Sequence, residues 1–366
     1  MLSPIFLLEG ARIIVRSFRV KFKGVKKYKG DVKQICRQII EDCWNGRYFQ
    51  VSAGHFCEFY ARDFGWCTHS LLNLGYKDKV IKTLDYALGI YSKNKRITTT
   101  IDPRGRILDV YTYSPDSLAY LMRSLRLANA KNLIKKYKPF LETEVKKFFD
   151  IVFDKDKGIV KENTFFSSMK DHSVRNSSCY NNIMVAMLSK ELDKLKFENP
   201  FKEYNLKKII KEKFWTGEYF LDDLSGNKFV AGDANIYPFW TGVFTDKKML
   251  KSTINKIIEK KLDEPFPLKY SEERKGKKFT FIEKIFVPNY EGSAIWIHMG
   301  PLYLELLRKV NKTRYNLLIQ RYKNLIEKHK NYLEVFNANG SIYKTFFYHT
   351  DESMLWAANF LDLMQK

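Results

Sequence analysis

The chain has little that would loosen it. Ten prolines and 18 glycines in 366 residues are too few for a linker-rich or low-complexity protein, and hydrophobic residues at 45% can supply a core. There are five cysteines, and Cys36, Cys43, Cys57, Cys67 and Cys179 form no C-x-x-C pair and no Cys/His ligand spacing. An odd number argues against a disulfide framework and points to reduced thiols in a cytoplasmic protein. No run suits a membrane span: the apolar stretch from Pro4 to Leu8 is broken by Glu9, Arg12 and Arg16, and no small-residue cleavage site follows it. Neither a phosphate-cradling glycine loop nor a Gly-x-Ser-x-Gly elbow occurs, and no His/Asp/Glu group has metal-ligand spacing, so no cofactor and no metal is expected.

Positive charge, in contrast, is plentiful. Lys and Arg number 64 against 41 Asp and Glu, a formal charge of +23. Such a charge ordinarily raises nucleic acid as a partner. Here the lysines spread along the chain and fall on the wet faces of helical patterns, so a solvated Lys-rich surface is expected and nucleic acid is not. Aromatic residues make up 15%, which suits a core and also a cleft that stacks sugar faces.

Periodicity orders the rest. From Ile14 to Tyr28 the pattern alternates and then turns basic at Lys21, Lys23, Lys26, Lys27 and Lys29, which predicts an extended arm or strand within residues 1–30. At Asp31 the spacing becomes helical: Val32, Ile35, Ile39, Ile40 and Trp44 recur behind Asp31 as an N-cap, and Asn45-Gly46 supplies a stop. Eleven more helices are predicted, near 54–74, 77–91, 115–125, 129–149, 181–195, 201–214, 235–243, 247–261, 293–309, 312–328 and 351–363. Turn chemistry at Asp102-Pro103-Arg104-Gly105-Arg106 separates two short extended pieces. A basic, proline-containing insertion at 263–289, which includes Arg274 and has strand character over Phe279 to Phe286, reads as a lid or surface hairpin. Twelve helices in sequence with short connections predict an all-α fold, an (α/α)6 toroid: six inner helices apolar on both faces and six amphipathic outer ones, occupying 31–366 as one catalytic domain. An open solenoid would require an internal repeat, and none is evident. In a toroid the polar connections collect at one end and line a cavity.

Several polar groups are candidates to line it. Asp171 lies in the loop Ser168 to Asn176 with His172 and Arg175, just before a helical pattern. Asp171 is the candidate proton donor and the other two are candidate substrate binders, against a plainer reading as a capping loop. Arg62 and Asp63 interrupt an aromatic helix with Trp66 about one turn on; they either bind sugar hydroxyls below an aromatic face or form an ion pair that fixes packing. Asp116, behind Ser114-Pro115, suits a helix first turn or a sugar contact. Asp233 reads as an N-cap, and Asp351 and Glu352 as acids at the start of the last helix. Trp296 and His298 fall on an inner helix. A second carboxylate must come from far along the chain, and Glu334 and Glu291 are both candidates. Inversion at a sugar centre needs a water between the two carboxyl groups.

Read together, these stretches look familiar. Tyr60-Ala61-Arg62-Asp63-Phe64-Gly65-Trp66 resembles the aromatic-Arg-Asp signature of the six-hairpin glycosidases, the superfamily of trehalases, glucoamylases, amylo-α-1,6-glucosidases and processing mannosyl-oligosaccharide glucosidases. Lys170 to Arg175 is similar to the loop that presents the general-acid Asp in the trehalase and processing-glucosidase branch. Gly292 to Tyr303 resembles their inner helix, and Glu334 to Gly340 with Met354 to Ala358 resembles the segment that carries the base. The resemblance implies an inverting hydrolase of α-glucosidic or related bonds in an oligosaccharide or disaccharide, with Asp171 matching the acid and Glu334 the base. Arg62 and Asp63 match substrate binders. Two other classes stay open: a sugar epimerase or isomerase using His172, His298 or His349, and a non-catalytic carbohydrate- or nucleic-acid-binding protein.

Overall fold

The computed structural model describes residues 4–272 and 278–366, so Arg274 of the basic insertion lies outside the described residues. A first helix, α1 (Pro4–Lys23), precedes the toroid. Six helix pairs then follow in chain order: α2 (Val32–Asp42) and α3 (Ala61–Asn73), α4 (Lys77–Lys93) and α5 (Pro115–Leu127), α6 (Lys131–Val152) and α7 (Cys179–Leu195), α8 (Leu206–Phe214) and α9 (Gly232–Trp240), α10 (Lys247–Glu259) and, after the short α11 (Phe281–Ile285), α12 (Met299–Leu307), then α13 (Lys312–His329) and α14 (Ala357–Leu363). The second member of each pair packs on the second member of the next. The chain of contacts runs α3, α5, α7, α9, α12, α14 and back to α3, which closes the inner ring of the expected toroid.

The division into rings follows from side chains. In α2 only Val32, Ile35, Cys36, Ile39 and Ile40 are buried, one stripe at helical spacing, and Asp31 with Gln34 forms a capping box at its start. Burying each such side chain contributes about 1.5–3 kcal/mol, so one stripe holds an outer helix in place. In α9 every residue from Gly232 to Phe239 is buried, which suits only a helix with neighbours on both faces. Gly65 lets α3 and α5 pack closely, because a Cβ there would overlap the Tyr120 side chain of α5.

Short strands tie the loops at one end of the ring. β1 (Phe59–Tyr60), β2 (Thr100–Ile101) and β3 (Ile107–Leu108) form a three-stranded antiparallel sheet, and β4 (Phe153–Asp154) pairs with β5 (Ile159–Val160). β6 (Ser173–Val174) pairs with β7 (Lys278–Phe279), and β8 (Ile295–Trp296) with β9 (Val335–Phe336), Trp296 facing Val335. The last two pairings link loops more than 35 residues apart in sequence at the mouth of the ring.

Three expectations are corrected. The amino-terminal segment is a helix, not an extended arm or strand. Glu9, Ser17 and Val20 are buried along one face with Ile13 between them, and Arg16 donates from Nη1 to the His55 carbonyl at 2.8 Å while Arg12 pairs with Glu58. Those contacts to the 55–58 loop reward a spacing of three and four, whereas the sequence shows only an alternation of aromatic and basic residues. In the 263–289 insertion, the strand expected over Phe279 to Phe286 is confined to Lys278–Phe279 and α11 follows it, with Thr280 capping the helix through the Glu283 amide. The closing helix begins at Ala357, so Asp351 is not at its start; its carboxylate instead accepts from the His55 and Phe56 amides and from Ser52 Oγ.

Candidate active site

A cavity of about 600 Å3 opens at the end of the ring where the inner helices begin. Arg62 and Asp63 lie in the first turn of α3, Asp171 in the loop before α7, Glu291, Trp296 and His298 ahead of α12, and Glu334 ahead of α14. Their side chains all line this cavity, together with Trp66 and His172. Tyr270, Tyr290, Tyr348 and Trp356 complete its floor.

On one wall, Arg62 is buried and bridges two acids. Its Nη1 and Nη2 each donate to Asp171 at 3.2 Å, and its Nε lies 2.9 Å from Asp116 Oδ2. Asp116 is fully buried beneath Arg62, accepting from Ser114 Oγ at 2.6 Å and Tyr180 Oη at 3.0 Å, and it does not line the cavity. The expected sugar contact for Asp116 is therefore not made; its carboxylate holds the guanidinium that holds Asp171. Asp63 accepts from Trp356 Nε1 at 2.9 Å, and burial pushes its carboxyl up to about 7. Arg62→Ala should strip Asp116 of its counter-charge and destabilise the fold by about 3–5 kcal/mol, read as a lower denaturant midpoint, because an unpaired buried charge keeps its full desolvation cost.

Arg175 is also displaced from its expected role. It lies behind the acid loop with Nη1 2.8 Å from Asp233 Oδ2, while Lys170 Nζ stands 2.7 Å from Asp233 Oδ1 and 3.2 Å from Asp222. This buried network anchors the loop to the first turn of α9 and leaves Arg175 off the cavity wall. Asp233 is not the N-cap, a position taken by Ala231. His172 stays at the cavity, where its Nδ1 contacts Tyr111 Oη at 2.8 Å and Thr280 Oγ1 at 3.1 Å. Burial lowers His172 to about 4, so its imidazole is neutral.

Glu291 stands on the same wall as Asp171. Its Oε2 accepts from the His172 amide at 2.8 Å, one residue from the acid. Burial and then the neighbouring carboxylates of Glu283 and Asp171 raise it well above the usual range. Glu334 comes from the connection between α13 and α14. Tyr290 Oη donates to its Oε1, and Tyr348 Oη and the Asp351 amide donate to its Oε2, the latter at 2.9 Å. A carboxylate has about four acceptor sites, so one is left for a further donor. Burial, then the Asp351 charge, pushes Glu334 up to about 7 against the lowering effect of these donors.

The floor between them is aromatic. Trp66 and His298 stack at 4.3 Å with planes 7° apart, and Tyr270 Oη joins His298 Nε2 at 3.0 Å. Burial keeps His298 neutral, and its Nδ1 has no hydrogen-bond partner among the described residues. Trp296 donates from Nε1 to the Tyr290 carbonyl at 2.7 Å, which fixes the tyrosine that grips Glu334. Tyr270, Tyr290, Tyr348 and Trp356 escaped the sequence reading. Tyr290 adjoins Glu291 and Trp356 lies within the Met354 to Ala358 stretch, whereas Tyr270 and Tyr348 carry no local signal. His349 does not line the cavity; its Nδ1 turns to the Thr350 carbonyl. Among the described residues no three His, Cys, Asp or Glu side chains converge as metal ligands, and no helix is long and apolar enough to cross a membrane.

No protein-family model and no curated protein matches the chain in sequence. Solved structures do match in shape. A glycosidase solved with glucose superposes with a TM-score of 0.66 at 10% identity over 100% of this chain and 98% of its own. The GH63 mannosylglycerate hydrolase of Thermus thermophilus, with Tris and D-glycerate, gives 0.62 at 9% identity over 92% of this chain and 100% of its own. The rhamnosidase of Klebsiella oxytoca, with rhamnose bound, gives 0.61 at 9% identity over 92% of this chain but only 64% of its own length. The fold is thus the one these glycosidases share.

Proposed function

We propose that the protein is a glycoside hydrolase that inverts the anomeric centre, with Asp171 as general acid and Glu334 as general base. The observation that carries this reading is the pairing of Asp171 and Glu334, from loops 163 residues apart, in the wall of one aromatic-floored cavity, with an acceptor site on Glu334 still unused. Glu291 is the weaker base, because it sits beside Asp171 and is engaged by the acid loop's own backbone. A toroid shared with a rhamnosidase and a mannosylglycerate hydrolase agrees with the reaction class.

The step balances simply. Glu334 takes a proton from a water whose oxygen forms a bond to the anomeric carbon. The glycosidic C–O bond breaks on the opposite face, and the proton of Asp171 passes to the leaving oxygen. Trp66, Trp296 and Trp356 provide faces for the sugar ring, and His298 Nδ1 and Asp63 provide hydrogen-bonding partners for its hydroxyls. An α-glucosidic or related bond is the substrate this reading favours. Incubation with a panel of α-glucosides, α-mannosides and α-rhamnosides, followed by proton NMR from the first minutes, should show release of a reducing sugar whose first-formed anomer is β. Release of the α anomer first would contradict inversion, and isomerised sugar without bond cleavage would favour an epimerase.

A further inference from the structure

The cavity is divided along its depth. The tryptophans and tyrosines that could stack a sugar, and the carboxylates that could bind its hydroxyls, belong to the floor formed by the toroid's loops. The walls nearer the mouth come from α1, from the segment after β3 and from the α11 region, and apart from Glu9 and Tyr111 they are mostly apolar: Leu7 and Ile14, Val110, then Phe281, Ile282 and Val287. Leu7 and Phe281 remain 57% and 70% exposed. α11 is held over the mouth by Thr345, whose Oγ1 donates to the Phe286 carbonyl at 2.8 Å. A second and third sugar in this outer part would lose water from their hydroxyls and find few free partners, since Glu9 is already paired with Arg12 and Arg106 and Tyr111 Oη is bonded to His172. A hydrocarbon would lose nothing and would cover side chains that otherwise face solvent.

We infer that the substrate is an amphiphilic glycoside, a sugar linked to an extended apolar alcohol such as an alkyl or isoprenoid chain, with the sugar on the aromatic floor and the chain along the aliphatic mouth. The inference rests on the hydrolase reading for its chemistry. The leaving group that accepts the Asp171 proton is then the free long-chain alcohol, and water supplies the hydroxyl retained by the sugar. The cavity volume of about 600 Å3 lies in the range of sites that enclose a medium-sized organic ligand. α1, which replaces the extended arm expected from the sequence, contributes one side of this mouth.

The test separates binding from turnover. Methyl and octyl thioglycosides of glucose, mannose and rhamnose resist hydrolysis, so their affinity for the unmodified protein can be measured by calorimetry below the micelle concentration. For the sugar that binds, octyl should bind at least about 100-fold more tightly than methyl, at one site per chain, given the apolar surface a seven-methylene extension buries. The paired substitution Leu7→Ser with Phe281→Ser should cut the octyl-to-methyl ratio by about tenfold. Equal affinity for methyl and octyl, tighter binding of a trisaccharide of the same sugar, or uptake of several octyl chains insensitive to the paired substitution would each overturn the inference. The oxygen glycosides of the same series report on catalysis independently. Chain-length-dependent binding without hydrolysis would sink the hydrolase reading and leave the apolar mouth standing, whereas hydrolysis with no chain-length dependence would do the reverse.

Discussion

Asp171→Asn is expected to lower kcat for a substrate with an alcohol leaving group by about a thousandfold, the usual range for loss of a positioned general acid. The argument turns on the leaving group. An alkoxide cannot depart without a proton, so deleting the acid removes a transition-state interaction and lowers kcat rather than raising KM. A glycosyl fluoride departs unprotonated, so the same variant should keep far more of its activity on that substrate. This contrast distinguishes acid catalysis from a structural contribution. Asp171 also pairs with Arg62, and a variant that merely loosened the guanidinium would lose both substrates alike. Circular dichroism and the denaturant midpoint of the variant check that the wall of the cavity survives, since Asp116 still holds Arg62 from behind. Equal losses on both substrates would remove Asp171 from the role of acid.

Glu334→Gln should be as damaging, by about a thousandfold in kcat, and for the opposite face of the reaction. Glutamine keeps the shape and can still accept from Tyr290 or Tyr348, but it cannot take a proton from water. Azide is already an anion and needs no base, so it should restore turnover in this variant and yield a glycosyl azide of inverted configuration. The pH profile gives a second signature. A base must be ionised, and burial pushes Glu334 up to about 7, so kcat/KM of the unmodified protein should still be climbing as pH approaches about 7, later than an ordinary carboxylate near 4.3 would allow, before loss of the general acid's proton turns the profile down. Stability runs the other way. A folded value above the unfolded one means that the contribution is complete below about pH 4 and is lost as pH rises through about 7. Replacing Glu334 by the permanently neutral glutamine should therefore flatten the fall in melting temperature between pH 5 and 8. A profile flat from pH 5 upward in the unmodified enzyme would exclude Glu334 as the base.

The local composition around the two glutamates does not separate them, since both stand among aromatic and amide neighbours between helical segments; only the resemblance points to Glu334 as the base. Tertiary structure separates them by company. Glu291 meets the backbone of the acid loop and the carboxyl of Glu283, while Glu334 meets the Tyr290 phenol from the loop before α12 and the Tyr348 phenol and Asp351 amide from its own connection between α13 and α14. Arg175, in the same loop as Asp171, and Asp116, in a helix first turn, were also candidates for the cavity. In the folded chain they hold the wall from behind, Arg175 through Asp233 and Asp116 through Arg62.

The sequence by itself determined the toroid: twelve stripes at a period near 3.6, separated by short turns, leave a closed double ring as the economical way to bury every apolar face, because helical periodicity is a local property of neighbouring residues. It also marked Asp171, Asp63, Trp66 and the Glu334 segment, whose chemistry is unusual for their surroundings. Only the tertiary structure decided which acids line the cavity, which partners surround each of them, and that residues 4–23 form a helix whose aliphatic face helps wall the mouth. Those outcomes depend on contacts between segments tens to hundreds of residues apart, such as Arg12 with Glu58, Trp296 beside Val335 and Ser52 on Asp351. A carboxylate's role is set by the donors, charges and burial that such contacts assemble around it, and no local pattern encodes them.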